Sequence, residues 1–485
     1  MPTSWHSAGL RSLLLHSQAN QCGACLTSAS GPGGKGTVLV TWLLHANGLT
    51  APVAVTEIDL AEPSRVSVPA AAYAGDDHGA VRRALVLVRL HGKPIGTVLC
   101  DAPGGHLDAT AFAEQAWAEI GPAIAAHLDA DAMAPGPPVA PLPEGTTPLC
   151  RRDLTAERPV FVSVVVATRE RPALLQVCLD SLGRLDYPNY EVLVVDNDPV
   201  TEDTAALVRG LGDDRFRYVA EPRRGLAAAH NRGLAEATGS VVAFTDDDVI
   251  VDRYWLREIT SAMRANVDVA CVTGLIMPAE LATQPQLMLE LHGHFGKGFD
   301  RRIVNLRDRR PSDPLFPFTV GKLGSGANMA FDRHRLARIG GFDPATGAGT
   351  VARGGDDLAA LFAVLAAGHS IAYEPGAIVW HRHRRDDGSL ATQAYGYGVG
   401  LGAYLTSALV NHPRMIGRAL RRAPTGLAYA LRPDSPRNRF LGDSWPRELV
   451  RLERKGLMFG PFAYTASRWR ARGAARTLAS SDLAC

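Results

Sequence analysis

Three adjacent carboxylates, Asp246, Asp247 and Asp248, close the apolar run 241–244, and Asp196 closes the apolar run 190–195. Carboxylates at the end of a buried strand offer hard oxygen ligands to Mg2+ or Mn2+. A cation held there can bridge a diphosphate and neutralise the charge that develops on it. The competing reading of the triplet is a solvated acidic turn. Asp356 and Asp357 open an apolar helical pattern, where they would cap free N–H groups for about 1 kcal/mol. A helix start also lowers a carboxylate's pKa, which weakens it as a base but keeps it ionised at neutral pH. Such a group can still take a hydroxyl proton if the proton moves late. His381 and His383 are two apart in an apolar run. On a strand they would share a face, as cation ligands or as plain surface residues. Segment 223–233, with Arg223, Arg224, Asn231 and Arg232 around small residues, fits a phosphate at a helix N-terminus or close helix packing.

The elements that must position these groups alternate. Residues 162–167 are a continuous β-branched run suited to a strand buried on both faces. Pro172 marks a helix start, and Leu174, Val177, Cys178 and Leu182 supply its apolar stripe. A strand at 190–196, a helix through Leu207, a short strand at 216–219, a helix at 225–237 and a strand at 241–244 follow. Further on come a helix at 253–265, strands at 269–276 and 378–383, and a helix from Asp356 that ends at Gly368. Strand and helix alternating in this way predict a doubly wound, mainly parallel α/β sheet, in which ligands bind beyond the carboxyl ends of the strands. Thr168, Asp196 and the aspartate triplet all lie at such ends.

The length of 485 residues implies two or three domains. Residues 37–130 read as a small α/β accessory unit, with strands at 53–58 and 84–90, a turn at 91–94, a strand at 95–100 and a helix at 111–127. Its His91 and His106 read as surface or turn residues, and no catalytic constellation is visible there. Residues 1–36 read as poorly ordered, and 131–158 as a proline-rich linker. The domain that carries the carboxylates spans 159–385, and 386–485 form a helical, basic extension. No apolar run reaches the ~20 residues needed to span a bilayer, and no secretory signal is evident. Seven scattered cysteines, with one lone pair at Cys22 and Cys25, fit a reducing cytoplasm better than a disulfide framework.

Residues 160–385 resemble the family 2 glycosyltransferases of GT-A fold. The resemblance is carried by Val164-Val-Val-Ala-Thr-Arg-Glu-Arg-Pro172, Val194-Val-Asp-Asn197, Arg224-Gly-Leu-Ala-Ala-Ala-His-Asn-Arg-Gly233, Phe244-Thr-Asp-Asp-Asp248, Gly326-Ala-Asn328, Gly341-Phe-Asp343 and Gly355-Asp-Asp-Leu358. It implies an enzyme that moves a sugar from a nucleotide-diphosphate sugar to an acceptor hydroxyl by a single inverting displacement. By the same resemblance Thr168, Arg169, Arg171, Asp196, Asn197, Arg224, Asn231, Asp246 and Asp247 would bind the nucleotide sugar. Asp246, Asp248 and His381 would hold Mn2+ or Mg2+. Gly326 and Asn328 would line the donor-sugar or acceptor site. Asp357, with Asp356 beside it, would activate the acceptor. Asp356 stands in place of a commoner glutamate, and Asn197 in place of a commoner aspartate.

Residues 388–485 carry 15 Lys/Arg against 5 Asp/Glu, in a chain of net charge only +2. Such a tail points to an anionic partner. Its helices are expected at the inner face of the cell membrane, beside a glycan or lipid-linked acceptor, or else as a cap on the catalytic domain. Nucleic acid is not expected, because no aromatic-interleaved or helix-turn-helix pattern accompanies the arginines. Two other classes compete. A nucleotidyltransferase would carry a glycine-rich loop after the first strand, and 168–172 has no glycine. An inactive sugar-nucleotide-binding module would have lost the metal ligands or the base.

Overall fold

The computed structural model describes residues 49–62, 66–67, 81–134, 136, 147–151, 159–293, 295–431 and 445–482. The expectations for residues 1–36, for Cys22 and Cys25, and for most of the proline-rich stretch lie outside these residues.

The larger sheet is built from buried, β-branched strands. Its strands are β5 (Val162–Thr168), β6 (Tyr190–Asn197), β7 (Phe216–Glu221), β8 (Val241–Asp246), β10 (Val269–Pro278), β11 (Arg302–Val304), β12 (Met329–Asp332) and β13 (Ser370–His381). They lie in the order β11-β13-β10-β12-β8-β5-β6-β7, with β9 (Val249–Val251) paired to β13. The half formed by β7, β6, β5 and β8 is parallel. In the other half β12 runs antiparallel to both β8 and β10, while β10 and β13 are parallel. Alternation along β5 sends Val162, Val164 and Val166 to one face and Val165 and Ala167 to the other. The first face packs on α2 (Pro172–Gly183) and α5 (Trp255–Arg264). The second packs on α4 (Leu226–Glu236) and α8 (Asp356–Ala366). The sheet is thus covered by helices on both faces, which is why its central strands β5, β6, β8 and β10 are largely apolar and buried. Helix α3 (Asp203–Gly210) lies between β6 and β7 in the chain, α6 (Gln284–Gly293) precedes β11, and α7 (Arg333–Arg338) follows β12.

The N-terminal unit is a four-stranded sheet, β2-β1-β3-β4, with β1 (Ala54–Asp59), β2 (Val66–Ser67), β3 (Arg83–Leu90) and β4 (Lys93–Asp101). Strands β3 and β4 form the expected hairpin, and α1 (Ala109–Ala130) covers one face through Phe112, Ala116, Ile120 and Ile124. The other face does not meet solvent. Val53, Val55, Leu85, Leu87 and Leu99 share a core with Ile250, Leu275, Met277, Ile378 and Trp380 of the larger sheet. Burying such a side chain contributes about 1.5–3 kcal/mol, so the unit is fused to its neighbour through a common core. Two ion pairs fix the register: Arg89 to Asp252 and Lys93 to Glu258, both at 2.6 Å. His91 departs from the expected surface position, being buried in the β3–β4 turn.

Beyond β13 the chain is helical: α9 (Asp387–Asn411), α10 (Ile416–Leu431) and α11 (Arg447–Asp482). Helices α9 and α11 cross at glycines. A Cβ on Gly402 would meet the Leu457 carbonyl at 2.5 Å and Gly460 Cα at 2.9 Å. Asp343 pins the pair to the larger domain, accepting from Ser407 Oγ, Asn411 Nδ2 and Tyr464 Oη at 2.6–3.0 Å. Among the described residues no helix is long and apolar enough to cross a membrane.

Candidate functional site

The parallel register brings the chemistry together. Thr168 pairs with Asp196 across β5 and β6, and Ala167 pairs with Asp246 across β5 and β8. The strand ends therefore form one ledge, and β8 extends through Asp246 rather than stopping at Phe244. From that ledge the triplet splits by direction. Asp246 and Asp248 face a cavity of about 380 Å³ that Thr168, Arg169, Arg171, Asn197, His381 and Arg384 also line. Asp247 turns inward and is fully buried, accepting from Thr168 Oγ1 at 2.7 Å and pairing with Arg171 at 2.5 Å.

Burial pushes the Asp247 carboxyl up to about 7 against the pull of Arg171. Asp248 is partly buried, but His381 at 3.3 Å and Arg171 at 3.1 Å hold its carboxyl well below the usual range, so it stays ionised. Asp246, Asp248 and His381 each offer a ligand atom, and these atoms all lie within 4.8 Å of one another. Asp248 Oδ1 is buried and accepts no hydrogen bond, and its neighbour is His381 Nε2 at 3.3 Å, so the two atoms face each other as a pair of candidate cation ligands. Carboxylate oxygens and one imidazole suit Mn2+ or Mg2+ by hardness.

His381 ends β13, whereas His383 lies beyond the strand and does not share its face as expected. His383 is buried and its Nε2 meets Glu290 at 2.8 Å. It stands behind His381, with the two Nδ1 atoms 3.3 Å apart.

A second cavity, of about 450 Å³, adjoins the first and shares Asp246, Phe295, Ser325, Ala327 and Tyr397 with it. Its far wall carries Asp356, Asp357, Gly326 and Lys297. Gly355 precedes the two aspartates with φ +85, and a Cβ there would meet the Gly400 carbonyl at 2.5 Å. Only glycine fits a left-handed residue pressed against α9 in this way. Asp356 is buried, with His230 Nδ1 at 3.2 Å. Asp357 is more open and accepts from the backbone N–H groups of Gly326 at 2.9 Å and Leu358 at 2.8 Å. The helix start was expected to lower its pKa. Instead burial, helped by the neighbouring Asp356 charge, pushes the carboxyl up to about 6 despite those two donors.

Four expected contacts fall elsewhere. Asn328 is fully buried and lines neither cavity. Its amide donates to Leu275 O and Ala377 O and accepts from Trp255 Nε1, at 2.8–3.0 Å, so it ties β10, β13 and α5 together. Asn231 clasps the backbone of Phe342, accepting at 2.9 Å and donating at 2.8 Å, which holds the segment before Asp343. Arg224 is exposed and lines a separate groove with Asn231 and Arg470. Asp196 is fully buried behind the ledge with Tyr218 Oη at 3.2 Å, and burial raises its pKa. Asn197 lines the first cavity while bracing the turn before α4, accepting from Gly225 N and donating to Arg223 O. Arg169 lines the same cavity and pairs with Asp198 at 2.9 Å. Conversely, Phe295, Ser325, Arg384 and Tyr397 line the first cavity without having been singled out for it. They come from loops and from α9, with no local pattern to mark them.

Residues 163–323 match the family model for glycosyl transferase family 2. A glucosyl-dolichyl phosphate glucuronosyltransferase of Haloferax volcanii is 28% identical over 38% of this chain and 57% of its own length. A pre-mycofactocin glycosyltransferase of Mycobacterium tuberculosis is 28% identical over 53% of this chain and 47% of its own. The chain thus spans about half the length of these curated relatives. A mannosyltransferase of Pyrobaculum calidifontis, solved with GDP-Man and Mn2+, aligns with a TM-score of 0.39 at 21% identity over 70% of this chain and 84% of that one.

Proposed function

From the premise that residues 163–323 belong to glycosyl transferase family 2, we propose that this chain transfers a sugar from a nucleoside-diphosphate sugar to an acceptor hydroxyl with inversion. The observation that carries the proposal is the junction at Asp246. One cavity holds Thr168, Arg169, Asp248 and His381, the next holds Asp357, and Asp246 borders both. A donor in the first cavity would direct its sugar toward the second, where the acceptor enters. Asp246, Asp248 and His381 would hold Mn2+ or Mg2+. Bound there, the cation supplies Lewis-acid neutralisation of charge on the leaving diphosphate.

The residues of the chain do the rest. Asp357, ionised above pH about 6, takes the proton from the acceptor hydroxyl. That oxygen forms a bond to the anomeric carbon as the carbon–oxygen bond to the diphosphate breaks on the opposite side. Arg171 braces the Asp247 and Asp248 carboxylates. Asp356, packed on His230, shapes the helix start.

The acceptor is read as glycan or lipid-linked, in cell-envelope synthesis. The Haloferax relative is named for a dolichyl phosphate substrate. In this chain Leu420, Phe462 and Trp469 are 68%, 73% and 78% exposed on arginine-bearing helices. Apolar side chains among cations suit the surface of an anionic membrane. On this reading the enzyme would act in the cytoplasm, peripheral to the inner face of the cell membrane.

The test is turnover of UDP-, dTDP- and GDP-sugars with and without Mn2+, together with thermal stability. One donor at about 100 times its dissociation constant should add ~2.7 kcal/mol of stability. Binding without sugar release, with lipid-linked acceptors present, would replace this reading with an inactive binding module.

A further inference from the structure

Separately from the strand-end ledge, four groups that can ligate a borderline metal meet in the N-terminal unit. His91 stands in the β3–β4 turn, His127 and Asp131 lie one helical turn apart at the end of α1, and Cys150 lies where residues 147–151 return to the unit. One ligand atom from each lies within 4.8 Å of all the others. His91 Nδ1 is 2.6 Å from Asp131 Oδ2, and His127 Nε2 is 3.3 Å from the same oxygen. Asp131 Oδ1 accepts from the Cys150 backbone N–H at 2.7 Å.

Two observations set this cluster apart from an ordinary hydrogen-bonded core. His91 and Asp131 are 3% and 7% exposed, yet His91 Nε2 is buried with no hydrogen-bond partner. His127 Nε2 is likewise buried and makes no hydrogen bond. A buried imidazole nitrogen without a hydrogen bond is costly, and at His127 it is the nitrogen that faces the Asp131 carboxylate, where a metal held between them would relieve it. The backbone around them is also fixed. Asp59 accepts from the N–H groups of His91 at 3.2 Å and Gly92 at 2.6 Å, so the turn that presents His91 is held from outside the cluster.

We propose that His91, His127, Asp131 and Cys150 form a structural zinc site, which clamps the segment leading into the larger domain onto the N-terminal unit. Two neutral imidazoles, one carboxylate and one thiolate match tetrahedral Zn2+, and the two anions cancel its charge in a buried setting. The thiol proton is released on binding. Ligands ~2.0 Å from zinc stand about 3.3 Å apart, so His91 and Asp131 separate slightly on loading while Cys150 closes in. A thiolate ligand disfavours Mn2+ and Mg2+, so this site and the carboxylate-rich ledge select different metals. The clamp bears on the shared interface. Arg151, next to Cys150, packs over the Tyr254 ring at 5.1 Å, and Lys93, close to His91, pairs with Glu258.

The test uses the full chain with Cys22→Ser, Cys25→Ser and Asp248→Ala, which removes the other thiol pair and the ledge ligand. After dialysis, metal analysis should find about one zinc per chain. Cys150→Ser and His127→Gln should each lower that content at least about tenfold. Cobalt titration of the intact quartet should give a thiolate-to-cobalt charge-transfer band, absent in Cys150→Ser, and this measurement stands even where a variant folds poorly. Zinc content near zero after exposure to ZnCl2, or zinc retained in both variants, would overturn the proposal.

Discussion

The Nδ1 atoms of His381 and His383 lie 3.3 Å apart, but their outer nitrogens serve different carboxylates. His381 Nε2 reaches Asp248 at 3.3 Å, and His383 Nε2 reaches Glu290 at 2.8 Å. His381 is therefore the proposed metal ligand and His383 the residue that orients it. Burial lowers the His383 pKa against the pull of Glu290, which keeps it neutral near pH 7. His381→Ala should weaken Mn2+ binding by more than His383→Gln, for which roughly tenfold is expected of an outer-shell partner. Calorimetric Mn2+ titration of both variants checks the order; equal losses would contradict it.

The base sets the acid limb of the pH profile. Asp357 must be ionised to take a proton, and its carboxyl is pushed up to about 6 by burial and by Asp356. Activity should therefore be flat above pH about 7 and fall about tenfold per unit below 6. Asp357→Asn should cut kcat by about 10²–10⁴ while leaving donor affinity in place. A profile with no break between pH 5 and about 7 would remove Asp357 from this role.

Within the triplet the outward and inward carboxylates should separate cleanly. Asp248→Asn should abolish the Mn2+-dependent thermal shift with donor and cost about 10³ or more in kcat/KM. Asp247→Asn should keep activity within about tenfold and mainly lower the melting temperature, because Asp247 holds Thr168 and Arg171 rather than facing the cavity.

Asn328 makes three buried hydrogen bonds to three different elements. Asn328→Ala leaves two carbonyls and an indole N–H unpaired, at a cost of several kcal/mol from ~1–3 per group. The expected outcome is a large drop in stability, with the donor KM of the surviving folded fraction unchanged. A selective rise in KM at full stability would return Asn328 to the donor site.

Membrane association rests on exposed apolar groups among arginines. Phe462→Ser combined with Trp469→Ser should reduce flotation with anionic vesicles, and binding by the unaltered chain should weaken as salt rises. Flotation unaffected by either change would place the acceptor away from the bilayer.

The sequence by itself determined the strand ledge. A β-branched run buries on both faces wherever it folds, and in a parallel sheet the residues after such runs share one end, so Thr168, Asp246 and Asp248 were bound to converge. Helix starts at Pro172 and Asp356 were legible for the same local reason. What the local pattern could not carry was direction and company. Asp247 and Asp248 are chain neighbours of one type, yet one is pushed up to about 7 and the other held well below the usual range, because Arg171 and His381 arrive from distant segments. Asn328 and Asn231 looked like ligand contacts and became internal braces. His91 read as a lone turn residue until the end of α1 and Cys150 closed around it. Periodicity reports which face of an element is buried. Which groups meet there, and at what pKa, depends on long-range packing and on the desolvation that only tertiary structure imposes.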